Sequence, residues 1–85
     1  MKEFSYVITD REGIHARPAG LLVKTANGFQ SAIVIHKGAK SADAKRIFAV
    51  MGLAAKSGEE IQVTCEGPDE ETASIAMENF LKENL

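Results

Sequence analysis

The stretch Gly13-Ile14-His15-Ala16-Arg17-Pro18-Ala19-Gly20 is where residue types and spacing could support chemistry. His15 falls where a turn gives way to a helix, because Pro18 suits a first helical turn, where its missing N–H would have had no partner anyway. The unpaired amides of a helix start, together with the helix dipole, prepare that place for an anion. Arg17, two residues on, adds a permanent cation with several donors for phosphoryl oxygens. A histidine in this setting can offer one ring nitrogen as a nucleophile while a hydrogen bond holds the other. A phosphoryl group taken up there would be stabilised by the amides and by Arg17, and its labile N–P bond would let it be passed on. A histidine at a helix start also occurs as a plain cap or a solvated surface residue, and spacing alone does not choose.

The elements that must position these residues follow from hydrophobic periodicity. Phe4, Tyr6 and Ile8 alternate as one face of a strand, and Asp10-Arg11-Glu12-Gly13 breaks it with turn chemistry. A helix is predicted from about Ala16 to Asn27, with Pro18, Leu22, Thr25, Ala26 and Phe29 as its apolar stripe and Asn27-Gly28 as its stop. Ser31–His36 alternates again, with Ile33 and Ile35 on one face. His36-Lys37-Gly38 reads as a hairpin turn into a short strand near Ala39–Ala42. A short helix fits Arg46–Leu53, with Ile47, Val50, Met51 and Ala54 on one side. Ile61–Cys65 is a strand with strict alternation. Gly67-Pro68-Asp69 opens a last helix whose acidic first turn complements the dipole, its stripe being Ala73, Ala76, Met77, Phe80 and Leu81. The order is β-α-β-β-α-β-α, and one apolar stripe per helix predicts an α+β open-faced β-sandwich: a four-stranded antiparallel sheet covered on one side by three helices.

Eighty-five residues make one domain over residues 1–85, with 45% hydrophobic residues against 26% charged, which excludes a disordered chain. So short a chain has no room for a deep substrate cavity beside its core, which favours a carrier or binding module over a self-contained enzyme. Residues 1–46 carry eight Lys/Arg against four acids, whereas residues 47–85 carry two against eight. A basic half fits an acidic or phosphorylated partner. Cys65 is alone, so an internal disulfide or cysteine-cluster metal site is excluded and a reducing compartment fits best. Cys65 reads as a small buried hydrophobe and His36 as surface structure, and no metal or cofactor is expected. With no signal-like N-terminal run and no stretch of roughly 18 apolar residues, the expectation is a cytoplasmic protein without membrane insertion.

The run Gly13-Ile14-His15-Ala16-Arg17-Pro18-Ala19 closely resembles the active-site signature of the HPr family, the histidine phosphocarriers of the bacterial phosphoenolpyruvate–sugar phosphotransferase system. The similarity extends over essentially the whole chain, including Lys40–Lys45, Ile47–Leu53 and the turn at Glu66-Gly67 and Asp69-Glu70. It implies the same open-faced sandwich. It also implies that His15 takes phosphate on its δ1 nitrogen from phosphorylated enzyme I and gives it to the A component of a sugar-specific enzyme II, with Arg17 stabilising the phosphate. The resemblance places the partner-binding surface at Ala16, Gly20, Lys24, Ile47, Phe48 and Met51, and implies a monomer that is a transiently phosphorylated carrier rather than a stand-alone catalyst. Phe48, about 100° round the helix from Ile47, is the better candidate for an exposed contact.

Two positions depart from the family pattern. Many relatives have a kinase-regulated serine after the equivalent of Lys45, and this chain has Arg46, which cannot accept phosphate. No kinase regulation is expected at position 46, and Ser41 and Ser57 are off register. Glu12 stands where a small polar residue is common, and could pair with Arg17 or repel the phosphoryl group. The rival readings are a specialised paralogue in a nitrogen-regulatory or dihydroxyacetone-linked phosphorelay, a small RNA-binding domain, or a structural interaction module. No nucleic-acid partner is expected, because the five aromatic residues fall mostly on core stripes and form no stacking platform.

Overall fold

In the computed structural model, which describes residues 1–85, the alternating and helical patterns become β1 (Lys2–Val7), α1 (Ala16–Ala26), β2 (Ala32–Lys37), β3 (Lys40–Asp43), α2 (Ile47–Gly52), β4 (Glu60–Glu66) and α3 (Glu70–Asn84). The strands form one antiparallel sheet in the order β1-β4-β2-β3. Register fixes which side chains meet. Phe4 and Ile35 both lie opposite Val63, Tyr6 opposite Ile61, Ile33 opposite Cys65 and Ala42 opposite Ile35. The period of two therefore sends these residues to one face, and a one-residue slip would expose the whole set. Against that face pack Leu22 and Ala26 of α1, Val50 of α2, and Ala73, Met77, Phe80 and Leu81 of α3, all buried in one continuous core. Helix α3 lies on β1 and β4, α1 lies against α3, and α2 bridges α1 and β3. This is the four-stranded sheet with three helices on one side that the periodicity predicts.

Three boundaries differ from the sequence reading, each for a local reason. Strand β2 continues through His36 to Lys37, so the hairpin turn is Gly38-Ala39, with Gly38 at φ +58°. His36 thus belongs to a strand, half-buried on the open face of the sheet, with its Nε2 3.4 Å from the Thr64 hydroxyl. Helix α1 stops at Ala26, where both the amide and the side chain of Asn27 donate to the Val23 carbonyl at 2.9 Å. Helix α2 ends at Gly52, and Ala54 is not part of its apolar side. It is exposed, with φ +51°, in the left-handed conformation that terminates many helices and that favours glycine. Replacing Ala54 by glycine relieves the Cβ penalty and is expected to stabilise the fold by about 1 kcal/mol. That corresponds to a rise in melting temperature of about 4–8 °C in a thermal unfolding scan.

A long-range contact joins two elements far apart in sequence. Asp69 sits at the N-cap of α3, yet its carboxylate does not cap that helix. One oxygen accepts the Ser31 amide at 2.9 Å and a short hydrogen bond from the Ser31 hydroxyl, and the other accepts the Gln30 amide at 2.9 Å. The start of β2 is thereby tied to the start of α3. Gly67 makes the approach possible: at φ +153° it lies so close that a Cβ would come within 2.6 Å of the Ser31 Cα. The Ser31 hydroxyl, followed by the Gln30 and Ser31 amides, holds the Asp69 carboxyl below the usual aspartate range. A lowered folded value stabilises the fold above the unfolded value near 3.9, and that contribution is lost as pH falls through the folded value. Acid unfolding followed by circular dichroism is therefore expected to begin at lower pH for the parent than for an Asp69→Asn chain. The variant is also less stable near neutral pH, where it lacks the charged acceptor.

Candidate functional site

His15 is the N-cap residue of α1, with extended backbone at φ −113° and ψ −174°. Its carbonyl accepts the Ala19 amide at 2.9 Å, closing the first helical turn. Its ring makes no capping hydrogen bond, so the imidazole is left for other work. Pro18 has no N–H, and the amides of Ala16 and Arg17 make no hydrogen bond in loops, turns or caps. Two donors at the positive end of the helix are thus unengaged beside His15, an arrangement that suits an anion. Arg17 is exposed and forms no ion pair, so its guanidinium is available to the same anion.

The loop that carries His15 is braced at several points. The amides of Thr9 and Asp10 and the Thr9 hydroxyl all donate to the main-chain oxygen of Leu85, at 2.6, 2.8 and 2.9 Å. The Asp10 side chain accepts the Glu12 amide at 2.8 Å, and its carbonyl accepts the Gly13 amide at 3.0 Å. Ile14 is buried and donates its amide to Ala55 at 2.9 Å. Gly13 has φ +69°, and a Cβ there would overlap the Ala55 carbonyl oxygen and approach the Lys56 Cα to 2.8 Å. Only glycine satisfies both the conformation and the space.

Of the two things its position left open, Glu12 does not do the first, pairing with Arg17. Its Oε2 lies 3.4 Å from Nε2 of His15, with the Glu12 side chain 72% and the His15 side chain 35% exposed. The ligand atoms of Asp10, Glu12 and His15 fall within 4.8 Å of one another, a grouping that the sequence reading missed because it weighed only the histidines and Cys65 as metal ligands. All three face solvent to some degree, and one Asp10 oxygen is already taken by the Glu12 amide. Neither His36 nor Cys65 joins the site. Cys65 is fully buried on the core face of β4, where desolvation, with Glu70 and Asp69 nearby, pushes its thiol pKa up.

The residues assigned to partner contact lie on α1 and α2, which pack together. Ala16 and Lys24 are exposed on α1. Gly20 faces Ile47: a Cβ on it would make ordinary contact with the Ile47 Cδ1 at 3.8 Å. Ile47 and Met51 are half-buried against the core, whereas Phe48 is 84% exposed. Leu21 of α1, 43% exposed, went unnoticed in the sequence. Its signal was there, since it lies about 100° round the helix from buried Leu22. Arg46, the N-cap of α2, makes no side-chain cap and is exposed, adding a cation next to the patch. The largest hollow, about 470 Å³ and open to solvent, lies elsewhere, over Gln30, Val34, Ser41, Asp43 and Lys45. No helix is long and apolar enough to cross a membrane.

A family model described as the PTS HPr component phosphorylation site matches residues 2–83. The phosphocarrier protein HPr of Lysinibacillus sphaericus is 43% identical over 83 residues, covering 98% of this chain and 94% of that protein. Among solved structures, the histidine-containing phosphocarrier protein of a Mycoplasma superposes with a TM-score of 0.94 at 39% identity, over 96% of this chain and 93% of that one. HPr of Thermoanaerobacter tengcongensis gives 0.93 at 38% identity, over 98% and 93%. With its fold, helix-start histidine and nearly full-length match in agreement, the chain belongs to the HPr family of phosphocarrier proteins of the phosphotransferase system.

Proposed function

We propose that this chain accepts a phosphoryl group on Nδ1 of His15 from phosphorylated enzyme I and donates it to the A component of a sugar-specific enzyme II. The observation that carries this reading is the cluster of uncommitted groups at the start of α1. The His15 ring is not used as a cap, the Ala16 and Arg17 amides have no partner, and the Arg17 guanidinium has no carboxylate. Such groups are costly to leave idle unless an anion or water uses them. A phosphoryl group on His15 would take its hydrogen bonds from the helix amides and from Arg17, without a metal or cofactor. Because the site is a surface one with no enclosing cavity, the second substrate and the water-excluding walls must come from the partner protein. The chain is then a carrier that acts as one unit and as a monomer in the cytoplasm, not a stand-alone catalyst.

Docking would use Ala16, Gly20 and Lys24 of α1 with Ile47, Phe48 and Met51 of α2. An exposed phenylalanine on α2, with exposed Arg17 and Lys24 on the helix packed beside it and Arg46 at its own start, suits fast, short-lived contact with a partner whose apolar pocket has an acidic rim. The test is incubation with enzyme I, Mg²⁺ and labelled phosphoenolpyruvate. The expected product is an acid-labile, base-stable label on this chain, discharged when an A component is added. No label in the presence of an active enzyme I would overturn the reading.

A further inference from the structure

We propose that Glu12 is a positioning residue for His15: it holds the ring proton on Nε2 and so reserves the Nδ1 lone pair for phosphoryl transfer. The inference rests on the phosphocarrier reading and adds a residue to it. The Glu12 carboxylate oxygen is 3.4 Å from Nε2, at ion-pair distance but without the alignment of a hydrogen bond, and Nδ1 makes no capping hydrogen bond. A carboxylate accepts and never donates, so the ring nitrogen that faces it is the one favoured to carry the proton. The same logic orients metal-binding histidines, where a carboxylate on one ring nitrogen fixes the tautomer and frees the other. Glu12 is held in place by the braced turn: its amide is tied to Asp10 at 2.8 Å, and Asp10 in turn to the Leu85 main-chain oxygen.

The consequence runs through both halves of the transfer. On the way in, the Nδ1 lone pair forms the new N–P bond, the donor's N–P bond breaks, and its electron pair returns to the donor nitrogen. The proton stays on Nε2, so the phosphorylated ring carries a positive charge that faces the Glu12 carboxylate. On the way out, a ring still protonated at Nε2 departs as neutral imidazole. Without that proton it would have to leave as an imidazolide anion, a far poorer leaving group. Glu12 thus assists the transfer from a distance, without touching the phosphorus.

Two measurements on the intact chain test this. In alkaline buffer, long-range ¹H–¹⁵N correlation spectra of the His15 ring report which nitrogen carries the proton, with no phosphoryl donor present. The Nε2–H form is expected to predominate in the parent, and its ratio to the Nδ1–H form to fall about two- to five-fold in Glu12→Ala, the range an exposed ion pair supports. Phosphorylation by enzyme I is expected to slow by a similar factor, with Glu12→Gln intermediate because its amide oxygen still accepts. An unchanged tautomer ratio, or faster phosphorylation in Glu12→Ala, would overturn the proposal; the latter would show that Glu12 chiefly repels the incoming phosphoryl group. Failure of the parent to be labelled would instead contradict the carrier reading, while the tautomer measurement would still decide what Glu12 does to the ring.

Discussion

A His15→Ala chain is expected to take up no label from phosphorylated enzyme I while unfolding within about 0.5 kcal/mol of the parent. Both halves of this expectation come from the geometry. The imidazole is the only nucleophile among the free donors at the start of α1, so its removal abolishes acceptance rather than slowing it. Histidine serves the helix only through its backbone: the carbonyl that accepts the Ala19 amide at 2.9 Å is kept by alanine, and there is no side-chain cap to lose. The usual penalty of about 1 kcal/mol for losing an N-cap therefore does not apply. Parallel urea titrations and labelling assays check the pair. A His36→Ala chain, altered on the sheet's open face, should keep its label. Label persisting in His15→Ala would place the acceptor elsewhere.

A Gly13→Ala chain is expected to lose both stability and function, although the residue takes no part in the chemistry. The left-handed backbone at φ +69° costs alanine about 1–2 kcal/mol by itself. The new Cβ would also overlap the Ala55 carbonyl, the acceptor of the Ile14 amide at 2.9 Å. The loop must move away from the segment after α2, and His15 must move with it. A total loss of roughly 3 kcal/mol is expected, together with a phosphorylation rate reduced on the order of 100-fold, the cost of displacing a reacting group by about 1 Å. Gly38 supplies the control. Its φ of +58° carries the same backbone penalty, but a Cβ there meets nothing within 4 Å. Gly38→Ala should therefore lose about 1–2 kcal/mol and keep full phosphorylation. Equal functional loss in the two variants would show that general stability, not the placement of His15, is at issue.

These two residues also mark what the sequence makes legible. Gly13, His15, Arg17 and Pro18 declare a turn and a helix start through local chemistry, so their placement follows from spacing. The strand faces of Ile33, Ile35, Ile61 and Val63 are equally legible, because period-two alternation is a property of neighbours. What escapes is long-range or set by side-chain geometry. Asp69 reads as an acidic helix start, yet its carboxylate crosses to Gln30 and Ser31, nearly forty residues away. The Glu12–His15 pair is local, three residues apart, but which ring nitrogen the carboxylate faces is fixed by side-chain geometry that spacing does not give. Ala54 fits the apolar stripe of α2 on paper and lies outside it because the chain turns left-handed there. The Asp69 contacts override a local preference from across the fold.

The charge asymmetry takes on a spatial meaning in the same way. Arg17, Lys24 and Arg46 all lie exposed on or beside the packed helices α1 and α2, Arg17 in the first turn of α1 and Lys24 in its last. The acids of the second half instead serve structure in several places. Asp69 ties β2 to α3, and Glu59 accepts the Lys56 amide at 2.7 Å and pairs with Lys37 at 3.2 Å. Exposed cations on α1 and α2 with a structural role for the acids are what the proposed docking surface requires.

The most direct test is to locate the phosphorus on the labelled chain. After phosphorylation by enzyme I, ³¹P–¹⁵N coupling in a histidine-labelled sample identifies the bonded nitrogen. Coupling to Nδ1 of His15 is predicted, with Nε2 still bearing its proton. Coupling to Nε2, to either nitrogen of His36, or to no histidine at all would contradict the account.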